Sequence, residues 1–275
     1  MKLILYSQFH DGHKVEVIED SESRKLTFDT HLTQSRMYLD DPISLSLGYC
    51  RAMMASLLFG DAVMQRNPFR VLMIGLGGGS LVKFLLHHFP FCRMDVVEAD
   101  KAIPALAREF FYVPDDDPRL TLFFEDGGEF MARVSRERFH PGYDSILLDA
   151  FDHEGMVESV YAEKFFFFFQ ALLTSKGVLT ANLIRGDSAV FRHSSEAIHR
   201  QFSKEVLGLP VVGTNNEILF VGPGLSVWEN RGEIEGRAWE LKEKLFMNYP
   251  LFVEEMVRVV APATWNRWLG FKFLR

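Results

Sequence analysis

Four acidic residues and a glycine cluster are spaced for chemistry on a nucleoside and an amine. Val71-Leu-Met-Ile74 runs straight into Gly75-Leu-Gly-Gly-Gly79. Four apolar residues in a row read as a strand buried on both faces. The glycines let the backbone turn sharply and approach a ligand. They also leave amide N–H groups free at a helix N-terminus. Glu98 follows Gly75 by 23 residues and ends the apolar stretch Met94-Asp-Val-Val-Glu98. An acid at that place accepts two hydrogen bonds from a ribose diol. Asp126-Gly127 ends the next strand. A carboxylate there, with backbone N–H groups beside it, can meet an adenine amino group and ring nitrogen. A nicotinamide dinucleotide would not specially require this further acid, so the set points to an adenosine sulfonium. Asp149-Ala-Phe-Asp152 follows the stretch Ser145-Ile-Leu-Leu148. Two carboxylates around one strand end can bind an ammonium or remove its proton. An alkyl-ammonium has a pKa near 10, so attack by the amine needs a nearby base and partial desolvation.

These residues need elements that bring them together. From Val71 onward apolar strand stretches alternate with helix patterns: 81–89, 101–111, 128–137, 162–173 and 188–202 for the helices, with strands at 94–98, 120–124, 145–149 and 177–182. That alternation means a parallel, doubly wound sheet, with ligands outside the carboxyl ends of its strands. Val211-Val-Gly213 and Ile218-Leu-Phe-Val221 read as an antiparallel hairpin at its end. Upstream, Lys14–Glu19, Lys25–Asp29 and Met37–Leu39 alternate apolar and polar residues with no helix between them, as in a small antiparallel sheet. A helix is expected from Leu45 to Leu58. Three units follow: a β-domain over 1–45, an α/β domain over 46–224, and a helical extension over 225–275 that packs on it.

Composition limits the partners. Of 275 residues, 48% are hydrophobic and 24% charged, with a formal net charge of −7, which argues against nucleic acid or an anionic membrane. Cys50 and Cys92 are the two cysteines, too few for a disulfide scaffold and consistent with a reducing cytoplasm. Met1-Lys-Leu-Ile-Leu-Tyr6 is too short and too soon polar for a signal peptide, and no apolar run spans a membrane. His153-Glu154 beside Asp152 has no second ligand cluster, so no metal is expected. Phe165 to Phe169 reads mainly as core, with a dimer face as the other account.

In order along the chain, Val71–Gly79, Val96-Val-Glu-Ala-Asp100, Asp117-Pro-Arg-Leu120, Glu125-Asp-Gly127, Tyr143–Asp149 and Ser175-Lys-Gly-Val-Leu179 resemble the spermidine synthases, the polyamine aminopropyltransferases. The resemblance covers residues 35 to 222. It implies a class I AdoMet-type α/β domain after a small β-domain, and a homodimer. It implies that Glu98 holds the ribose, Asp126 and Gly127 the adenine, and Gly75, Gly77, Gly78 and Gly79 the rest of the nucleoside. Decarboxylated S-adenosylmethionine, or S-adenosylmethionine, would be the co-substrate, and an amine or other small nucleophile the acceptor. Asp149 would take the proton of the attacking amine, Asp152 would hold that amine, and Tyr49 would line its site. The chain departs from the family at three places. Gly78 stands where the family's glycine loop carries an acid. Asp149-Ala-Phe-Asp-His153 lacks the family's proline. Cys50 and Arg51 follow the tyrosine, and Arg51 there would repel a diamine. Two other readings of the same scaffold are an AdoMet-dependent methyltransferase and a non-catalytic nucleoside-binding protein.

Overall fold

The computed structural model describes residues 2–10, 12–29, 33–59, 69–137, 140–151, 157, 163–185, 188–202 and 206–258. Residues 259–275 of the expected helical extension lie outside them.

Four strands open the chain: β1 (Leu3–His10), β2 (His13–Glu19), β3 (Ser23–Thr27) and β4 (Thr33–Tyr38), antiparallel in the order β1-β2-β3-β4. β1 adds a strand to the three expected. Its apolar residues Leu3, Ile4 and Phe9 are exposed, so it shows no clean alternation to read. Gly12, at φ +91°, supplies the turn into β2.

The expected helix over 45–58 begins later and changes pitch. It is α1 (Gly48–Met53) followed by a 3-10 turn, Met54–Leu58. Leu45 and Ser46 stay outside it because their carbonyls accept from Arg51, and the Ser46 hydroxyl donates to the Arg36 carbonyl.

The second sheet comprises β5 (Phe69–Ile74), β6 (Cys92–Val97), β7 (Leu120–Phe123), β8 (Tyr143–Leu148), β9 (Leu173–Ile184), β10 (Val206–Pro210), β11 (Asn216–Val221) and β12 (Val257–Arg258). Its order is β12-β10-β11-β9-β8-β5-β6-β7. β5 to β9 run parallel, and β11, β10 and β12 close the edge antiparallel. β5 lies between β6 and β8, so the chain reverses its direction of travel there. Helices α2 (Ser80–His88), α3 (Ile103–Phe111), α4 (Gly127–Val134), α5 (Glu163–Leu172) and α6 (Ser188–Phe202) connect the strands. Val71 and Met73 point into one core with α2 and α3; Leu72 and Ile74 point into the other with α4, α5 and α6. This is the doubly wound α/β fold, and it explains why β5 is apolar at successive positions.

Phe165, Phe166 and Phe169 are buried in the second core, whereas Phe167 is 58% exposed. α7 (Arg231–Leu245) and α8 (Tyr249–Glu255) pack Ile234, Ala238, Leu241, Leu245, Tyr249 and Val253 into the first core. The expected helical extension breaks at Glu255, because the chain turns extended at Met256 and pairs as β12 with the edge of β10.

Lys83 on α2 is only 4% exposed. Its Nζ meets Met37 Sδ of β4 at 3.1 Å. Burial pulls this lysine's pKa down from 10.5 to about 8. A lysine depressed in the folded state costs stability while it stays charged. Stability therefore rises as pH climbs from about 8 to 10.5. Lys83→Met should raise stability at pH 7 by about 2–3 kcal/mol and the Tm by roughly 5–10 °C, and it should flatten that alkaline rise. A thermal-unfolding series in which the variant melts below the parent would contradict this.

Candidate active site

The expected site residues arrive at the carboxyl ends of the parallel strands, where the open sheet leaves a crevice. Gly75 follows β5, Glu98 and Asp100 follow β6, Asp126 and Gly127 follow β7, and Asp149 follows β8. All of them line one cleft of about 1030 Å³, counting its open mouth. Tyr49 and Cys50 of α1 close one side. His13 of β2, Phe28, and Gln34 and Ser35 of β4 close it from the N-terminal sheet. Asp152, the second expected acceptor-site acid, lies outside the described residues.

The glycine loop is held from both ends. Gly75 adopts φ +92°, and a Cβ there would lie 2.2 Å from the Asp149 carbonyl oxygen. A side chain is therefore excluded where β5 passes β8. Gly79, at φ +65°, starts α2 with its back against Val113. Four N–H groups of the loop have partners within the protein. Gly75 N–H donates to Val97 O, Leu76 N–H to Glu98 Oε2 at 2.8 Å, and Gly79 N–H to Leu76 O. Gly78 N–H donates to Ser35 Oγ at 2.7 Å. Gly78 and Gly79 do not line the cleft; they face Ser35, Phe111 and Val113 behind it.

Glu98 accepts from the N–H groups of Leu76 and Asp100. Burial raises its pKa, and those N–H groups and that of Gly77 oppose the rise. Asp100 lies alongside, 3.6 Å from His13 Nε2. Asp126 caps α4, its Oδ1 accepting from the N–H groups of Gly128 and Glu129 at 2.8 and 3.1 Å. That fixes its carboxylate at the cleft wall.

Asp149 is half-buried. Its N–H donates to Ile74 O, and its Oδ1 accepts from Asn182 Nδ2 at 2.9 Å. Burial pushes its carboxyl up from 3.8 to about 6, against the pull of the Asn182 amide and then the Tyr49 hydroxyl. Tyr49 also reaches Gln34 O at 3.2 Å. Burial raises the Tyr49 phenol and the Cys50 thiol well above their ordinary pKa values, so both are neutral donors. Arg51 does not line the cleft. Its guanidinium donates to the Leu45 and Ser46 carbonyls, and its charge acts on Cys50, which does line the cleft.

Charge in the cleft has one dominant sign. Its described lining includes Glu98, Asp100, Asp126 and Asp149, and among the described residues neither lysine nor arginine. Such a cleft attracts a cationic ligand and repels an anionic tail. Sequence reasoning missed Gln34, Ser35, His13 and the Asn182 contact. Nothing local marks the first three, which ordinary strand alternation covers. Asn182 had a signal, a polar end to an apolar strand beside the strand that carries Asp149.

Among the described residues no helix is long and apolar enough to cross a membrane, and no three His, Cys, Asp or Glu side chains are placed to hold a metal ion.

Comparison with known proteins gives four matches of note. The family model described as the spermine/spermidine synthase domain matches residues 51–206. A polyamine aminopropyltransferase of Chromobacterium violaceum is 31% identical over 246 residues, covering 88% of this chain and 89% of that one. Among solved structures, a spermidine synthase in complex with the transition-state analogue AdoDATO superposes with a TM-score of 0.70 at 17% identity, covering 97% of this chain and 87% of that one. Human methyltransferase-like protein 13, in complex with SAH, superposes at 0.65 with 25% identity, covering 73% of this chain and 93% of that one.

Proposed function

The chain belongs to the spermine/spermidine synthase family, a family of transferases, and from that premise we propose that it transfers an aminopropyl group from decarboxylated S-adenosylmethionine to an amine, with Asp149 as the base. The observation that carries this reading is the cleft's charge: four carboxylates and, among the described lining residues, no lysine or arginine. Decarboxylated S-adenosylmethionine is a sulfonium with an ammonium tail, and the acceptor is a second ammonium. Both gain from that field.

Glu98 takes the ribose diol. Asp126 and Gly127 take the adenine edge. Gly75 and Gly77 let the backbone pass close beneath the sulfonium. Asp149, Tyr49 and Asp152 take the acceptor. Asp149 removes a proton from the acceptor ammonium and holds it. The freed nitrogen lone pair attacks the propyl carbon bound to sulfur. The C–N bond forms as the C–S bond breaks, and the bonding pair returns to sulfur, leaving neutral methylthioadenosine. Sulfur is a good leaving group, so alignment and one base supply most of the acceleration.

Methyl transfer from S-adenosylmethionine is the second reading, favoured by the missing loop acid at Gly78. Its carboxylate would need donors. The loop N–H groups named above are already committed, which favours the first reading.

Calorimetric titration with S-adenosylmethionine, decarboxylated S-adenosylmethionine and methylthioadenosine separates the readings. Tighter binding of the decarboxylated form, with product on adding an amine such as putrescine, is expected. Preference for S-adenosylmethionine would move the assignment to methyl transfer, and binding of none would remove both. The rate should also lose its base as pH falls through about 6, dropping roughly tenfold per unit below it, since Asp149 works only when ionised. A kcat/KM profile flat from pH 7 to 5 would contradict Asp149 as that base.

A further inference from the structure

Asp149 is the first member of a line of side chains that runs across three strands. Asn182 of β9 is 1% exposed. Its Nδ2 donates to Asp149 Oδ1 at 2.9 Å, and its Oδ1 accepts from Asn216 Nδ2 of β11 at 2.9 Å. β9 pairs antiparallel with β11, Asn182 facing Ile218 and Asn216 facing Ile184, which places the two amides on a diagonal. The backbone N–H of Asn216 donates to Thr214 Oγ1 at 3.1 Å in the turn that precedes β11.

An amide has a donor end and an acceptor end of nearly the same shape. Its N–H end toward Asp149 favours the carboxylate; its C=O end would repel it. Asp149 attracts the donor end of Asn182, and the Asn182 carbonyl left facing β11 accepts from Asn216 Nδ2. Both contacts are made in the same orientation. We propose that Asn216 is a positioning residue for the base: by donating to the Asn182 carbonyl it locks the amide with its N–H end on Asp149. This rests on Asp149 being the base. It extends that reading by naming a residue on β11, beyond the cleft lining, that keeps the base ionised.

Among the described residues, the titratable groups Tyr49 and Cys50 face Asp149 from α1, and β5 offers backbone at Gly75. Glu98 and Asp126 line other walls of the cleft. Arg185 and Glu217, 3.4 Å apart, flank the Asn216 end of the line on β9 and β11.

Asn216→Asp is the informative change. It keeps size but replaces a donor by a carboxylate, which demands the N–H end of Asn182. The amide is then contested, and turning it would bring its carbonyl onto Asp149. Asn216→Ala removes the lock without contesting it. Both can be read without knowing the acceptor. Label aspartate carboxyl carbons with ¹³C, assign Asp149 as the resonance lost in Asp149→Asn, and titrate each protein by NMR. The Asp149 midpoint should rise by about one unit or more in Asn216→Asp and by a smaller amount in Asn216→Ala. The acid limb of the rate should move with it. Midpoints within about 0.2 units of the parent in both variants, in proteins that still need Asp149 for turnover, would overturn the positioning role alone. Turnover that survives Asp149→Asn would overturn the base assignment, and the role given to Asn216 with it.

Discussion

Asp149→Asn should lower the single-turnover rate by about 10²- to 10⁴-fold and leave nucleoside affinity within about three-fold. The change is isosteric. A carbonyl oxygen at Oδ1 still accepts from Asn182, and Gly75 still packs under the backbone of residue 149. Only the capacity to take a proton is gone. The variant should also melt no lower than the parent at pH 7. A carboxyl whose folded pKa is raised from 3.8 to about 6 costs stability when ionised, and that cost grows as pH rises through this window. An amide removes it. Quench-flow with decarboxylated S-adenosylmethionine and an amine reads the rate, calorimetry reads the affinity, and thermal unfolding reads the fold. A fall in rate accompanied by an equal fall in nucleoside affinity would recast Asp149 as a binding residue.

Gly78→Asp is the second large effect, and its direction is opposite to what the family pattern implies. Supplying the missing loop acid would be expected to improve grip on an ammonium tail. In this chain the space is filled. A Cβ at Gly78 would lie 2.9 Å from Ser35 Cβ and 3.1 and 3.2 Å from two ring carbons of Phe111. Phe111 is fully buried and Ser35 is 7% exposed, so neither yields easily. The backbone N–H of Gly78 is also bound to Ser35. Overpacking of this kind costs about 1–3 kcal/mol, and a carboxylate buried with it costs more. The Tm should fall by roughly 6–12 °C, with weaker binding of every nucleoside tested. Adding Ser35→Gly should recover part of the loss by removing the closest contact. An unchanged Tm with tighter binding of decarboxylated S-adenosylmethionine would show that the loop can open there.

The N-terminal sheet covers the cleft, where Ser35 meets Gly78 after β5, His13 lies beside Asp100 after β6, and Gln34 meets Tyr49 of α1. The glycine loop is therefore shaped by two sheets at once. That accounts for a loop whose N–H groups are spent internally although its sequence reads as an open anion cradle.

Much of the molecule was legible in the chain itself. The largely apolar stretches at 71–74, 94–97 and 145–148 read as strands covered on both faces, and the helix patterns between them point to parallel pairing. Once the strands are parallel, the residues that end them must share one edge. Gly75, Glu98, Asp126 and Asp149 were therefore placed together by periodicity alone. Tertiary structure decided what periodicity does not encode: which strands are neighbours, and what comes over the top. Sequence order puts Asn182 and Asn216 far from Asp149; only the sheet order β11-β9-β8 puts them in a line. Arg51 reads as a side chain in the acceptor site, and only the structure shows its guanidinium turned to the Leu45 and Ser46 carbonyls and off the cleft lining. Gly78 reads as a vacancy, and only Ser35 and Phe111, brought from two other elements, show it occupied. The physical reason is one of range. Local pattern follows from the repeat of helix and strand, whereas side-chain contacts depend on distances across the fold that no single repeat contains.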